Sequence, residues 1–299
     1  MRVLVTGSSG FIGSAVVEDL GRAGHDVLAV DRVPASGARR KRWPALAGEA
    51  AIDLEDPAAV GRCLRDLRPE ALVHLAWYAD PADYLTSPAN LSSLSVTLRL
   101  LDSALEMGCR KLVVSGSCVE YAASTRPLDE RDATAPTTLY GACKQAAGTV
   151  ARVLCGSAGA ELSWARIFHL HGPGEDRRRL IPWVAGELRA GRPVELTDGT
   201  QVRDHLHVAD VAAGLRALLA PGAAGIFNVC SGEPVTLRQV LETVGDLVGR
   251  PELLRFGARP HRLGETMFLA GTSARLRALG WAPRFDLRGG LADALGGAA

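Results

Sequence analysis

The chain has 299 residues, 47% of them hydrophobic and 22% charged, with 34 Lys plus Arg against 33 Asp plus Glu and a net charge of +1. That is the profile of a globular protein, since disordered chains are poorer in apolar residues and richer in net charge, and it carries no whole-chain field to draw nucleic acid or an anionic membrane. No apolar run approaches the roughly 18 residues that span a bilayer, and no signal-peptide pattern precedes the first strand, so a soluble cytoplasmic protein is expected.

In chain order, residues 2–6 read as a strand, 13–22 as a helix, 26–30 and 50–54 as strands and 57–67 as a helix. A strand follows at 71–76, a helix at 93–107, a strand at 111–115, a helix at 140–155 and a strand at 162–168. Continuously apolar strands alternating with helices predict an α/β fold, a doubly wound parallel sheet of the Rossmann type. After about residue 170 the pattern turns irregular, beginning with a loop at 171–179. A smaller, mixed C-terminal substrate domain is expected there, with residues 208–229 returning to the sheet. The expected division is 1–170 plus about 205–230 for the dinucleotide domain and 171–204 plus 231–299 for the substrate domain. Cys63, Cys109, Cys118, Cys143, Cys155 and Cys230 form no C-x-x-C pair and read as small buried apolar residues in a reducing compartment.

The first strand runs into Gly7-Ser8-Ser9-Gly10-Phe11-Ile12-Gly13, a glycine-rich turn into a helix. Gly7 would allow the tight turn, Gly10 the approach of a pyrophosphate and Gly13 close helix–strand packing, with negative charge on the helix's amide end. A tight turn without a ligand is the alternative reading. Asp31 closes the second strand 18 residues beyond Gly13, where a ribose-binding carboxylate belongs. It favours NAD, because a carboxylate repels a 2′-phosphate. Arg32 leaves NADP open, and Arg39–Arg42 read as a solvated basic loop. Asp53 and Leu54, ending the third strand, are expected to meet the adenine.

Tyr140-Gly141-Ala142-Cys143-Lys144 sets a phenol and an ammonium one helical turn apart. An ammonium beside a phenol lowers its pKa, which makes tyrosine usable as an acid or base. Ser117 ends a strand at the same cleft, so hydroxyl, phenol and ammonium compose a carbonyl/alcohol proton-transfer site beside a nicotinamide.

These residues resemble the extended short-chain dehydrogenases/reductases, the NAD-dependent epimerase/dehydratase family that acts on nucleotide sugars. The resemblance continues through His74-Leu75-Ala76-Trp77, Arg166-Ile167-Phe168, His171-Gly172-Pro173, Arg203-Asp204 and Gly280-Trp281. It implies Ser117, Tyr140 and Lys144 as catalytic residues. Gly7, Gly10, Phe11, Ile12, Gly13, Asp31, Arg32, Asp53, Leu54, Leu75, Ala76, Tyr140, Lys144 and Pro173 would bind the cofactor. Ser117, Cys118, Val119, His169, Arg203 and Arg262 would bind the nucleotide sugar, the two arginines on its diphosphate. A salt bridge to Asp204 or Asp210 is the other reading of Arg203.

Sugar dehydratases of this family carry Asp-Glu where this chain has Cys118 and Val119, and Glu120 falls one position too late, on the opposite face of an extended segment. Dehydration is disfavoured. The string Gly116-Ser117-Cys118-Val119-Glu120-Tyr121 is most like nucleotide-sugar 4-ketoreductases, which implies NAD(P)H-dependent reduction of a nucleotide-linked 4-keto-6-deoxyhexose, with dTDP the preferred nucleotide. Epimerisation at C4 is the alternative, and a non-catalytic dinucleotide-binding protein the second. Epimerases of the family often have Asn in place of His169 and Tyr in place of His171. His169-x-His171 and His205-x-His207 lack companions for a metal set, and His74 reads as a hydrogen-bonded core residue. Leu94, Leu98, Leu101, Ala146, Val150 and Val153 lie on two helices that pair between subunits in the family, implying a homodimer through a four-helix bundle.

Overall fold

Parity along the strands decides which core each side chain joins. In β1 (Arg2–Thr6), Val3 and Val5 belong to one buried cluster and Leu4 to another. Val27 and Ala29 of β2 (Asp26–Asp31) join the first cluster and Leu28 the second; Val73 and Leu72 of β4 (Ala71–His74) divide the same way, as do Val113 and Leu112 of β5 (Lys111–Ser117). Successive side chains of a strand point to opposite faces, so the sheet separates two cores and is covered on both sides, as its apolar strands predict. This computed structural model describes residues 1–33, 35, 40, 42, 43 and 46–296.

With β3 (Gly48–Ala51), β6 (Glu161–Ile167) and β10 (Gly225–Val229), these strands form a seven-stranded parallel sheet in the order β10-β6-β5-β4-β1-β2-β3. β10 is the segment expected to return from the second half. Helices α1 (Phe11–Arg22), α2 (Pro57–Leu67), α3 (Ala89–Glu106) and α4 (Leu139–Ser157) connect the strands. The third strand lies earlier than the predicted 50–54, because Asp53 Oδ1 accepts from the Glu55 amide and Asp56 caps α2 ahead of Pro57. That turn chemistry ends the strand and puts Asp53 and Leu54 beyond it. The helix predicted at 93–107 starts four residues sooner, behind Pro88, whose fixed φ suits a helix start.

The second half supplies a smaller mixed sheet centred on β9 (Val202–His207), which pairs with β7 (His169–His171), β11 (Pro234–Thr236) and β13 (Phe268–Leu269). A two-stranded piece, β8 (Val194–Glu195) with β12 (Leu254–Arg255), lies apart. A third core packs α5 (Leu180–Arg189), α7 (Leu237–Val248) and α9 (Leu287–Ala294) together. Helix α6 (Val208–Ala217) packs its Val211 and Leu215 into the first core, and α8 (Ala274–Arg277) adds Leu276. All six cysteines are buried free thiols. No helix among the described residues is long and apolar enough to cross a membrane.

Candidate active site

The chain winds outward in one direction through β2 and β3 and in the other through β4 and β5, so β1 and β4 flank the point where direction reverses. In open parallel sheets ligands bind there, beyond the strand ends. Gly7 leaves β1 with φ +68, and a Cβ on it would stand 2.8 Å from the Ala76 amide nitrogen; a Cβ on Gly13 would stand 2.0 Å from the Gly7 carbonyl oxygen. Only glycine fits at either place. Gly10 is the N-cap of α1 and Phe11 and Ile12 its first residues, with no side chain capping the amides. That leaves a concave amide surface suited to a pyrophosphate.

Asp31 ends β2 at the lip of this turn. Its Oδ2 accepts from the Ser9 amide at 3.0 Å and the Ser9 hydroxyl at 2.7 Å, and its Oδ1 from the Arg32 amide at 2.7 Å. A carboxylate oriented in this way fits a ribose diol. Arg32 is exposed. Arg40 lies 3.8 Å from Glu49 and Arg42 3.5 Å from Glu18, surface pairs of the kind a solvated loop makes; Arg39 and Lys41 lie outside the described residues. Leu75 donates its amide to Thr6 O at 3.2 Å, and Pro173 is half-buried after β7. The glycine cradle, the helix amides and Asp31 together fit a nicotinamide dinucleotide.

Ser117 ends β5 and caps the 3₁₀ turn Cys118–Glu120. Thr138 caps α4 through the Gly141 amide, and the Tyr140 amide is fixed on Leu85 O at 3.1 Å. This brings the Tyr140 phenol near enough to the Ser117 hydroxyl for that hydroxyl to lower the phenol's pKa. Lys144, one turn on and 2% exposed, donates to Ser115 O at 2.7 Å and lies 3.9 Å from the centroid of the Trp77 ring.

The electrostatics correct the expected acid phenol. Burial pushes the Tyr140 phenol well above its ordinary value, against the neighbouring Ser117 hydroxyl, which lowers it. Lys144 is turned to Ser115 and to the Trp77 face, and its Nζ stands 5.9 Å from the Tyr140 ring centroid. Burial lowers the Lys144 ammonium to about 7, with Glu120 opposing. The protein alone therefore holds a neutral phenol, a proton donor, beside an amine that titrates near neutrality.

Trp77 and Tyr84 meet the Tyr140 ring edge-on at 6.2 and 5.2 Å, and Arg179 stacks over Tyr84 at 4.8 Å. Trp77 is tied through its indole to Asn90 Oδ1 at 2.8 Å, and Asn90 is anchored on Tyr84 O and Ser87 O. Tyr84, Asn90 and Arg179 escaped the sequence reading because they come from separate loops and helices with no shared period; Trp77 was visible beside His74-Leu75-Ala76 but carried no assigned role.

Cys118 is buried, its thiol pushed up to about 12 by desolvation, and Val119 packs on the same small cluster. Neither offers an acid or base. Glu120 lies in a 3₁₀ turn, not the extended segment expected, yet its carboxylate is still withheld from the cleft, bonded to Ser117 N, Trp164 and Arg166. Arg203 makes no pair with Asp204 or Asp210. Its guanidinium donates to Val202 O and Thr266 O, while Asp204 is held by Ser231 and Gly232, and Asp210 by Arg284 and Phe285. Arg262 is exposed in the loop before β13. Parallel register sets His169 beside His205 and His171 beside His207. Ring centroids stand 5.6 Å apart for His169–His205 and 5.7 Å for His171–His207. No three metal-binding side chains among the described residues are grouped to hold an ion. His74 is a core residue, bonded to Thr6 Oγ1 and Thr97 Oγ1 at 2.7 and 2.9 Å.

Comparison with known proteins finds relatives along nearly the whole chain. Residues 3–230 match the model of the NAD dependent epimerase/dehydratase family. A UDP-glucose 4-epimerase of Corynebacterium glutamicum is 30% identical over 98% of this chain and 94% of its own length. A UDP-glucuronate 4-epimerase of Thermodesulfobacterium geofontis is 29% identical over 96% and 93%. The crystal structure of Thermus thermophilus UDP-glucose 4-epimerase in complex with NAD superposes with a TM-score of 0.87 at 29% identity, covering 99% of this chain and 98% of that one. The chain belongs to the NAD dependent epimerase/dehydratase family.

Proposed function

We propose that the protein reduces the C4 keto group of a nucleotide-linked 4-keto-6-deoxyhexose, with dTDP as the preferred nucleotide. One observation argues against dehydration: among the described residues, no free carboxylate stands beside Ser117 and Tyr140, since Cys118 and Val119 cannot ionise usefully and Glu120 is fully engaged. Removing water from the sugar requires an acid and a base that this site lacks. Reducing a ketone requires only a proton donor and a group to stabilise charge on oxygen.

In this reading Tyr140, neutral in the protein, gives its proton to the sugar O4. The Ser117 hydroxyl donates a hydrogen bond to the same oxygen as negative charge grows there. Lys144, as the ammonium, supports the phenolate left behind. A bound nicotinamide dinucleotide supplies the hydride. Gly7, Gly10 and Gly13 would admit its pyrophosphate and Asp31 its ribose diol, which favours NAD over NADP. Arg203 and Arg262 would meet the sugar nucleotide's diphosphate and His169 the sugar. The Trp77 and Tyr84 rings fence Tyr140, a feature that supports a sugar held in one orientation.

The similarity to UDP-glucose 4-epimerases supports a second reading, oxidation and re-reduction at C4 with retained NAD. One assay separates the two. With dTDP-4-keto-6-deoxyglucose and NADH, stoichiometric loss of the reduced-nicotinamide absorbance is expected. Interconversion of UDP-glucose and UDP-galactose without net cofactor change would select the epimerase.

A further inference from the structure

Behind the reacting hydroxyls sits a buried charged cluster that the proposed chemistry does not use. Glu120 closes the turn after Ser117 and is 1% exposed. Its Oε1 accepts from the Ser117 amide at 2.7 Å and from the Trp164 indole at 3.0 Å; its Oε2 accepts from that indole at 3.1 Å and from Arg166 Nε at 2.9 Å. Trp164 and Arg166 are alternate, buried residues of β6. The Arg166 guanidinium stacks on the Tyr121 ring at 4.3 Å, and the Tyr121 hydroxyl donates to Asn228 Oδ1 at 2.7 Å, which ties the cluster to β10.

The residue before Ser117 is shaped for this arrangement. A Cβ on Gly116 would stand 2.3 Å from the Trp164 indole nitrogen and 2.7 Å from Glu120 Oε1. Any side chain there would push indole and carboxylate apart. Gly116, Glu120, Trp164 and Arg166 are thus parts of one device. Three donors converge on a single buried carboxylate, where a charge-assisted bond is strong and a missing partner costly. One of the three is the backbone amide of Ser117.

We propose that Glu120, held by Trp164 and Arg166, is the positioning residue for Ser117. By pinning the Ser117 amide it fixes the turn from which the hydroxyl projects toward the substrate's keto oxygen, so it governs the rate of the chemical step more than substrate affinity. The proposal rests on the catalytic reading of Ser117 given above.

The test is a double-mutant cycle of Glu120→Gln with Ser117→Ala, read as kcat and KM. Gln is chosen because it keeps the size of the side chain where the cluster walls a cavity of about 400 Å³ lined also by Gln145, Gly148 and Ile226, which a smaller residue would enlarge. E120Q should lower kcat by on the order of 10- to 100-fold, the scale of a slightly misplaced catalytic group, with KM nearly unchanged. The double variant should be no slower than S117A alone. Independent losses that multiply, or a change confined to KM, would overturn the proposal.

A second measurement needs no turnover. Hydrogen exchange at the Ser117 amide should quicken about tenfold or more in E120Q and in Trp164→Phe, while the amides of 111–114 keep their protection. Unaltered exchange at Ser117 refutes the positioning role. Full activity in S117A would instead refute the catalytic role of Ser117 and leave the exchange result to be judged alone. If E120Q does not fold, W164F carries both readouts, with a smaller loss of kcat.

Discussion

Lys144 shows how a pair of residues can be legible in a sequence while its electrostatics is not. The i, i+4 spacing places phenol and amine on one helix face, and the structure keeps them there. What spacing does not convey is that the amine is drawn to Ser115 O and to the face of Trp77, a residue from another loop. Nor does it convey that burial outweighs the hydroxyl partner at Tyr140. The consequence is a pH dependence. The ammonium, at about 7, is populated below that value and lost above it, so turnover should fall on the alkaline side with an apparent pKa near 7. A pH–kcat profile flat from 6 to 9 would exclude a required Lys144 charge. Glu120 carries a similar lesson: the extended segment on which the parity argument rested is a 3₁₀ turn, and three donors rather than strand parity hold its carboxylate.

Predicted and observed elements coincide best where apolar period and caps agree. The strand at 2–6 and the helix at 57–67 match β1 and α2 end to end, the latter framed by Asp56 and Pro57. The third strand slipped because aspartate side chains compete for backbone amides, a local effect weaker in the pattern than apolar alternation. Between α3 and α4 the apolar surplus divides. Leu101 lies fully in the core, a correction to its expected outward place, whereas Ala146, Val150 and Val153 of α4 and Leu91 of α3 are exposed, Val153 at 65%. Exposed aliphatic side chains on two adjacent helices support the homodimer proposed from the resemblance. Val150→Glu combined with Val153→Glu should convert a dimer to a monomer of unaltered fold in light scattering. A wild-type protein that is already monomeric at micromolar concentration would contradict the proposal.

Buried histidines on β4, β7 and β9 give the fold a directional response to acid. Burial holds His74, His169, His171 and His205 at about 3. In the folded chain they stay neutral, while in the unfolded chain they titrate near 6.5, so below that value the unfolded state binds more protons and stability falls as pH drops. For His74 and His171, both about 1% exposed, each loses about 1.4 kcal/mol per pH unit over that window. The urea midpoint should decline steeply from about 6.5 downward, beyond the fall that the buried Lys144 amine already imposes between pH 8 and 7; His171→Phe should flatten the slope below about 6.5. A midpoint unchanged between pH 7 and 5 would refute the buried neutral imidazoles. The dinucleotide turn and the proton-transfer group were legible in the chain because they are local strings. The fence of Trp77, Tyr84 and Arg179 was not, because only the tertiary fold gathers it around Tyr140.

The decisive measurement is the fate of hydride. With NADH deuterated at nicotinamide C4 on the transferred face and dTDP-4-keto-6-deoxyglucose as substrate, the product should carry one deuterium at sugar C4 by NMR. Tyr140→Phe should form it about 10²- to 10⁴-fold more slowly with dinucleotide binding intact. Product without deuterium at C4, or a Tyr140→Phe protein as fast as the wild type, would show that the phenol and the nicotinamide do not act together on that carbonyl.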